Sequence, residues 1–391
     1  MHDRLAALPS VPPALAAHAD KVRQHLSERI AAAGGALPFS DFMQSALYAP
    51  GLGYYSGGAQ KFGEDGDFTT APEISPAFGA VLARQCQAVL AQLGHGDIVE
   101  YGAGTGRLAA DVLGTLAELR SLPDAYYIVE VSADLRARQR DTLAATIPVL
   151  LERVHWIDDP REQPVRGIVI ANEVLDALCV ERFRIGANSD VERQFVCLID
   201  GALATEWRTA DAALAAAVAQ IQASLGRSLP EGYISEVCLQ MPAWLQMVAE
   251  TLQRGVILMS DYGYGRDALY APDRSSGTLT CHYRHHAHDD VLHLPGCEDI
   301  TAWVDFTNVA ESLDAAGLNY LGFTTQAQFL LNGGLTEVVS AAADDALALS
   351  RGIKTLTLPG EMGERFKFIG FSRECDVLLP GFSGRDFGVA L

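Results

Sequence analysis

Three glycines spaced one residue apart form the pattern in this chain whose chemistry is clearest. They are Gly102, Gly104 and Gly106. They follow the short stretch 97–99 and the acidic residue Glu100, and a helical pattern begins at Arg107. Because glycine lets a backbone turn sharply and approach a ligand without a Cβ, the pattern predicts a loop that binds a nucleotide-type cofactor. The dinucleotide fingerprint requires G-x-G-x-x-G, and Arg107 stands where its third glycine belongs, which disfavours an NAD-dependent oxidoreductase.

Polar residues also follow the other predicted strands, at the edge of a parallel sheet where ligands bind. They are Glu130, Asp158, Asn172, Glu173 and Asp261. An ionised carboxylate only accepts hydrogen bonds, so we expect Glu130 to bind two ribose hydroxyls and Asp158 an adenine amino group. The backbone N–H groups of residues 102–106 would meet an amino-acid moiety at a helix N-terminus. An acid two residues before G-x-G-x-G is the arrangement of class I S-adenosylmethionine methyltransferases, so the set predicts this cofactor, with Glu100 and Asn172 in its site.

The composition narrows the class of protein and of partner. The 391 residues are 49% hydrophobic, which is typical of a globular protein. The net charge of −20 argues against a broad surface for nucleic acid or anionic membrane and is compatible with a basic protein partner. Seven scattered cysteines without C-x-x-C suit a reducing compartment. No apolar run approaches the ~20 residues of a membrane span. Neither a signal peptide nor a transit peptide is evident, so we expect a bacterial cytoplasmic protein, or one of the mitochondrial matrix if the source is eukaryotic.

From residue 97 onward, apolar strands alternate with helical patterns. Strands are predicted at 97–99, 126–131, 154–157, 167–171 and 256–260, with later ones at 320–324 and 366–371. Continuous apolar strands separated by helices indicate an α/β, Rossmann-like fold, with a mostly parallel sheet covered by helices on both faces. We expect a helical N-terminal region with a cofactor-covering loop over residues 1–95. The class I core would span residues 96–391, with insertions at about 181–250 and 263–305.

Long motifs outside the glycine loop resemble a known family. The matching segments include Gly66-Asp67-Phe68-Thr69-Thr70-Ala71-Pro72-Glu73-Ile74-Ser75, Ala171-Asn172-Glu173, Asp261-Tyr262-Gly263-Tyr264, and Gly277-Thr278-Leu279 with His288-Asp289-Asp290. They resemble the MidA / NDUFAF-seven-type family of class I methyltransferases from mitochondria and bacteria, and the resemblance spans about residues 39–371. The sequence departs from the family at Ala103 and Cys179, where proline is frequent.

The resemblance implies an S-adenosylmethionine-dependent protein arginine methyltransferase. Mitochondrial members are implied to give symmetric dimethylarginine on a subunit of respiratory complex I and to support complex I assembly. A protein substrate, including a complex I subunit, is therefore the expected partner. Two alternatives stay open, which are a catalytically weak assembly or interaction protein that still binds the cofactor, and a small-molecule methyltransferase.

Arginine methylation requires carboxylates, because they hold a guanidinium and take its proton. Glu173 is the first catalytic candidate, and Asp176, three residues later on a helical turn, is the second. In the segment 66–75, we expect Phe68 to pack on the cofactor. The polar residues Thr69, Thr70 and Glu73 would form hydrogen bonds to it. The structural alternative for this segment is a helix cap, since Ser75 precedes a proline.

A histidine-rich stretch lies near residue 285. Its potential metal ligands are Cys281, His282, His285, His286, His288, Asp289, Asp290, His293 and Cys297. No standard zinc spacing is present, so we predict no metal here. We expect instead a polar lid over a substrate channel, formed by Tyr283, Arg284 and His285.

Overall fold

The computed structural model describes residues 8–57, 69–341 and 346–391, and they fall into two compact units. The first unit comprises residues 176–240 and 266–303 with the described part of segment 1–68. The second comprises residues 69–175, 241–265 and the described part of 304–391. The domain boundaries expected from the sequence, at residue 95 and around the two insertions, stay a prediction.

The helices and strands before residue 176 alternate along most of that segment. They are α1 (Pro13–Ala32), β1 (Ala36–Pro38), α2 (Phe39–Tyr48), α3 (Ala71–Ile74), α4 (Pro76–Leu93), β2 (Asp97–Tyr101), α5 (Arg107–Glu118), β3 (Tyr126–Val129), α6 (Ala133–Thr146), β4 (Val154–Ile157) and β5 (Val165–Asn172). Up to residue 265 there follow β6 (Glu181–Ile185), β7 (Val191–Ile199), β8 (Ala202–Thr209), α7 (Ala212–Leu225), β9 (Ile234–Val237), α8 (Met241–Thr251) and β10 (Leu252–Tyr264).

The remaining elements are shorter on average. They are α9 (Arg266–Leu269), β11 (Thr280–Tyr283), β12 (His286–His288), β13 (Asp299–Thr301), β14 (Val304–Asp305), α10 (Phe306–Ala315), β15 (Asn319–Thr325), α11 (Gln326–Asn332), α12 (Leu335–Ala341), α13 (Ala346–Thr357), α14 (Met362–Arg365) and β16 (Phe366–Arg373).

The second unit is built on one sheet with the strand order β15-β16-β10-β5-β2-β3-β4, and β14 pairs with β10. Strands β10, β5, β2, β3 and β4 are parallel, whereas β16 is antiparallel to both of its neighbours. The strand order reverses beside β2, where β3 and β4 lie on one side and β5 and β10 on the other. In an open α/β sheet this reversal marks the ligand-binding edge, so the carboxyl ends of β2, β3 and β5 define where a ligand would bind.

The apolar runs of the sequence form the central strands because both of their faces are covered. Ile98 in β2 and Ile168 and Ile170 in β5 are buried in one core with residues of α4 and α5. Helix α4 begins where Ser75 accepts a hydrogen bond from the Ala77 N–H, with Pro76 at the first helical position. The buried helices hold the sheet rigid, which fixes the positions of the loops at its edge.

The first unit is antiparallel. Strands β1, β7, β6 and β9 form one sheet with β8 paired to β7, and β12, β11 and β13 form a second sheet. A separate core contains Leu26 of α1, Phe42 of α2 and Ile300 of β13. Strands β6, β7 and β8 of this unit lie within the segment 181–250.

The α/β, class I type of fold expected from the sequence is confirmed by this mostly parallel sheet. The late strands predicted at 320–324 and 366–371 are β15 and β16. Strand β2 extends to Tyr101, so Glu100 lies within the strand rather than at its end. Among the residues that the structure describes, no helix has the length and apolar character needed to span a membrane.

Candidate functional site

The three alternating glycines form the turn between β2 and α5, at the reversal of strand order. The Gly102 N–H donates to the Val129 carbonyl at 3.0 Å, which ties the loop to the end of β3. At Gly106, a Cβ would lie 3.1 Å from the Gln139 Cα, so a side chain there would press on α6. At Gly104, φ is +54° and a Cβ would meet no atom within 4 Å. The loop therefore has one side packed on protein and one backbone position that faces open space.

Gln139 of α6 joins the glycine loop to the residues after β3. Its side-chain amide donates to the Gly104 carbonyl at 3.0 Å and to the Glu130 carboxylate at 3.1 Å, and it accepts from the Trp156 indole at 2.8 Å. Gln139 is fully buried, so each of these hydrogen bonds is costly to lose. No local pattern points to Gln139, because its partners come from three separate parts of the chain.

Replacing Gln139 with leucine should weaken binding of S-adenosylmethionine, the cofactor that the sequence predicts, by about 10-fold or more. The substitution removes the partner of three polar groups, one on the buried Glu130 and two on the half-buried Gly104 and Trp156. Each loss costs on the order of 1–3 kcal/mol, and two of the groups belong to predicted cofactor-binding residues. Isothermal titration calorimetry with the purified variant measures this affinity directly.

Gln85→Leu is the matched control for that variant. Gln85 is also fully buried and uses both ends of its amide, donating to the Gly333 carbonyl and accepting from the Gly381 N–H. Both variants should lose stability, but only Gln139→Leu should lose cofactor affinity. Equal affinity in the two variants would contradict the role given to Gln139.

Glu130 directly follows β3 and is buried with its carboxylate held in place. One of its oxygens accepts from the Ser132 N–H at 2.9 Å and the other from Gln139. Burial raises the pKa of Glu130, while the hydrogen bonds from Ser132 and Gln139 lower it. Each carboxylate oxygen has two acceptor positions, so capacity for ligand hydroxyls remains. The neighbouring Val131 is 85% exposed, which places an apolar surface beside this acceptor.

Asp158 follows β4 at the same edge of the sheet. Its carboxylate pairs with Arg136 at 2.5 Å, and it is otherwise largely exposed. Arg136 also donates to the carbonyls of Glu130 and Ile157, so one guanidinium links the ends of β3 and β4. The structure thus brings Asp158 and Glu130 to one side of the glycine loop through Arg136.

The segment before α4 contacts the glycine loop directly. Glu73 accepts a hydrogen bond from the Thr105 hydroxyl, and the Ala71 N–H donates to Glu173 at 2.9 Å. Thr69 and Thr70 are half-buried, and the Thr70 carbonyl accepts from the Glu73 N–H at 3.0 Å. Phe68, predicted to pack on the cofactor, lies outside the described residues. Ser75 caps α4, as the structural alternative predicted. The same segment also contacts the glycine loop through Glu73.

Glu173 occupies a tightly held turn after β5. Its φ is +54°, a left-handed conformation that is uncommon for a residue with a side chain and that costs about 1–3 kcal/mol. Three contacts fix the turn. The Glu173 N–H donates to the Ser260 carbonyl at 2.8 Å, the Ser260 hydroxyl donates to Asn172 at 2.6 Å, and Asn172 donates to the Glu173 carboxylate at 3.2 Å. Asn172 therefore positions Glu173.

Two further contacts link this turn to its surroundings in the second unit. The Leu175 N–H donates to the buried Asp261 carboxylate at 2.9 Å, which anchors the turn to β10. A Cβ on Gly102 would lie 3.0 Å from a Val174 methyl group, so the residue after Glu173 packs against the glycine loop. Glu173 thus stands beside the predicted cofactor loop and is held by neighbours on both sides.

Asp176, the second catalytic candidate, belongs to the first unit and is buried. Its carbonyl accepts a hydrogen bond from the Ala302 N–H at 3.3 Å. Burial, then the carboxylate of Asp299, raises the pKa of Tyr55, and Asp176 adds to that effect. In its own unit, Asp176 therefore lies close to a tyrosine and a second carboxylate.

Glu100 is buried beneath the glycine loop and accepts a hydrogen bond from the Tyr126 hydroxyl at 2.7 Å. Burial raises its pKa from 4.5 to about 7, the hydrogen bond from Tyr126 lowers it, and the charge of Glu130 raises it further. The folded protein therefore keeps a proton on Glu100 at a pH at which the unfolded chain has released it. Glu100 supports β2 from within the core.

Glu100→Gln should remove part of the pH dependence of stability. A pKa raised by folding stabilises the folded protein below pH about 4.5, and this stabilisation is lost as the pH rises through about 7. The shift corresponds to about 3 kcal/mol. Between pH 5 and pH 8, the free energy of unfolding measured with urea should fall by about 3 kcal/mol more in the wild type than in Glu100→Gln. Glu118→Gln, an exposed change at the end of α5, should keep the wild-type difference.

The arrangement fits an adenosine-containing cofactor. The open backbone position at Gly104, the acceptor Glu130 and the exposed apolar Val131 lie at the reversal of strand order, where such a ligand binds. The turn of Glu173 adds a carboxylate next to the same loop. The second unit therefore combines a cofactor-type loop with a held acid at one edge of its sheet.

Comparison with known proteins agrees with this geometry. Residues 81–324, more than half of the chain, match the family described as S-adenosyl-L-methionine-dependent methyltransferases. A Rattus norvegicus relative named "Protein arginine methyltransferase NDUFAF7, mitochondrial" is 30% identical over 91% of this chain and 85% of its own length. The Drosophila melanogaster homologue is 28% identical, over 86% of this chain and 81% of its own length.

Two crystal structures from Burkholderia thailandensis are similar over nearly the whole chain. Both are of COG1565 superfamily proteins. One, bound to S-adenosyl-homocysteine, is 42% identical with a TM-score of 0.92 and covers 98% of this chain and 100% of its own. The other is 40% identical with a TM-score of 0.90 and the same coverage. Both the family match and the 42% identity over nearly the full length lead to one conclusion. The chain belongs to the family of S-adenosyl-L-methionine-dependent methyltransferases.

Proposed function

We propose that this methyltransferase acts on arginine side chains of a basic protein. The observation that carries the proposal is the Glu173 carboxylate, held in a left-handed turn beside the glycine loop. Backbone strain of this kind is maintained where the surrounding structure requires it, which is frequent at active sites. The relatives named protein arginine methyltransferase support the same class of substrate.

Each residue of the proposed site would contact a different part of the cofactor. Glu130 would bind the ribose hydroxyls, Val131 would pack on the adenine, and Asp158 would accept from the adenine amino group. Gly102 and Gly106 would shape the loop, since their N–H groups donate to the carbonyls of Val129 and Ala103, and the Gly104 N–H would bind the amino-acid part, with Glu73 and Thr105 closing that side. When bound, S-adenosylmethionine supplies a methyl group activated by a sulfonium centre. Except for Val131 and Thr105, which the structure adds to the proposal, these cofactor-binding residues stay predictions from the sequence, as do Thr69, Thr70, Glu100, Asn172 and Phe68.

Glu173 would bind the guanidinium of the acceptor and accept its proton. A carboxylate matches a guanidinium in charge and in its two-pronged hydrogen-bonding geometry, so it can fix one nitrogen toward the cofactor. The same carboxylate can accept the proton that this nitrogen releases. Asp176, a buried acid of the first unit, is the second candidate for binding the guanidinium.

The charge of the chain supports a basic polypeptide as the acceptor. A net charge of −20 produces a negative potential that attracts basic partners and repels nucleic acid. We include a subunit of respiratory complex I among the proposed substrates, with symmetric dimethylarginine as the product. Both rest on the family resemblance. All seven cysteines lie in the described part of the chain and none of them forms a disulfide there, which supports a reducing compartment such as the bacterial cytoplasm or the mitochondrial matrix.

The test uses the purified full chain with methyl-labelled S-adenosylmethionine and pairs of basic peptides. Each pair differs only in arginine against lysine at every cationic position. We expect label on the arginine peptides alone, and acid hydrolysis followed by mass spectrometry should identify symmetric dimethylarginine. Cofactor binding without transfer to any arginine peptide or basic protein would contradict the proposal and favour an assembly protein. Transfer only to small acceptors would contradict it as well.

A further inference from the structure

The small antiparallel sheet of the first unit brings three potential metal ligands together. Strand β11 pairs with β12 so that Cys281 lies directly opposite His288, and β11 pairs with β13 so that Cys281 also lies opposite Ile300. Glu298 immediately precedes β13. One ligand atom from each of Cys281, His288 and Glu298 can be chosen so that all lie within 4.8 Å of one another. This spacing is small enough for a single ion to contact all three.

The cluster is buried, and its hydrogen bonds are incomplete. His288 Nε2 lies 3.0 Å from a Glu298 oxygen, and the other Glu298 oxygen accepts from the Leu294 N–H at 3.3 Å. The side chains of His288 and Glu298 have no exposed surface. His288 Nδ1 is buried without a hydrogen-bond partner. Because the two ring nitrogens point in divergent directions, Nε2, which faces Glu298, is the nitrogen that could share an ion with that carboxylate.

The charges of the cluster also favour a cation. Cys281 and Glu298 are both buried, and the neighbouring Asp299 is buried as well. A divalent ion would balance one thiolate and one carboxylate, and it would release the thiol proton on binding.

We propose that Cys281, His288 and Glu298 form a binding site for a divalent transition-metal ion, with Zn²⁺ as the ion that suits this ligand set. Thiolate sulfur, imidazole nitrogen and carboxylate oxygen are the three ligand types of protein zinc sites. Three protein ligands leave one position of a tetrahedral ion for a water molecule. The ion would join β11, β12 and the start of β13, so its binding energy would add to the stability of the first unit.

The sequence pattern predicted no metal in this stretch, and the proposed site would revise that prediction. Cross-strand pairing brings Cys281 and His288 together, and Glu298 is not one of the potential ligands named from the sequence. Of those named, His282 and His285 lie outside the group. Arg284 and His285 have positive φ and form the exposed turn between β11 and β12, and His282 points away from Cys281 along the alternating strand. The lid function predicted for Tyr283, Arg284 and His285 stays a prediction.

The first measurement is the metal content of the full chain. Protein purified without chelator should contain about one zinc per chain by plasma mass spectrometry. After chelation, addition of Co²⁺ should give the thiolate-to-cobalt charge-transfer absorption of a cysteine ligand, and Zn²⁺ should abolish it. Zn²⁺ should also raise Tm by on the order of 5 °C. Substoichiometric zinc together with no cobalt spectrum would overturn the proposal and leave a metal-free pair between His288 and Glu298.

The second measurement uses two ligand variants and one control. Glu298→Gln keeps the shape and a hydrogen-bond acceptor for His288, and Cys281→Ala removes the sulfur. We expect Cys281→Ala to lose the charge-transfer band and both variants to lose the rise in Tm on addition of Zn²⁺. Cys375→Ala, at a buried free cysteine of the second unit, should behave as wild type. An unchanged cobalt spectrum in Cys281→Ala would overturn the assignment of the ligands.

Discussion

Replacing Gly104 with valine should abolish S-adenosylmethionine binding and leave the fold intact. A Cβ at Gly104 meets no protein atom within 4 Å, so the branched side chain would extend into the open space beside the loop. That space is where we expect the cofactor to approach the backbone of the loop. The φ of +54° adds backbone strain of about 1–2 kcal/mol, which a core of this size tolerates. Calorimetry with S-adenosylmethionine measures the affinity, and thermal unfolding measures the fold.

Gly94→Val is the control that separates steric exclusion from backbone strain. Gly94 follows α4 in the same unit, has φ of +83°, and would likewise give a Cβ with no atom within 4 Å. Both variants should therefore lose similar stability, but Gly94→Val should bind the cofactor as wild type does. Wild-type affinity in Gly104→Val would show that the cofactor does not approach the backbone there. If both variants lost cofactor affinity, backbone strain rather than steric exclusion would explain the loss.

The architecture of the second unit could be predicted because its signals are local. A run such as residues 167–171 is apolar throughout since β5 is covered on both faces, and glycines are required where the chain turns at the sheet edge. The acids after β3 and β4 were placed from the same strand boundaries. Features that depend only on local strand, turn and helix signals could therefore be predicted from the sequence.

The supporting contacts of the site could not be predicted, because they depend on residues distant in the chain. Gln139 lies on a polar helix and becomes a junction only when α6 packs beside the glycine loop. Ser260 positions Asn172 and Glu173 across two parallel strands, β10 and β5. Cys281 and Glu298 meet through a sheet register that no motif spacing encodes. Tertiary packing selects these partners, so the sequence could name site residues more easily than the residues that hold them.

Glu173→Gln should lower kcat for arginine methylation by about 10²- to 10⁴-fold while cofactor affinity stays within about 2-fold of wild type. Glutamine can still accept from the Ala71 N–H, so the turn and its contact with the segment before α4 are kept. The variant lacks the negative charge that would hold a guanidinium and accept its proton. Single-turnover kinetics with an arginine peptide, alongside calorimetry with S-adenosylmethionine, separates the two quantities.

The control for this variant is Glu374→Gln. Glu374 is an exposed glutamate at the far end of β16 and has φ of +49°, so the exchange repeats the same chemical change in the same left-handed backbone conformation. It should leave both kcat and cofactor affinity unchanged. Methylation by Glu173→Gln at the wild-type rate would remove Glu173 from the chemistry and leave the left-handed turn without a catalytic reason. The acid that serves the guanidinium would then have to be sought elsewhere, and Asp176→Asn is the variant that would test that next.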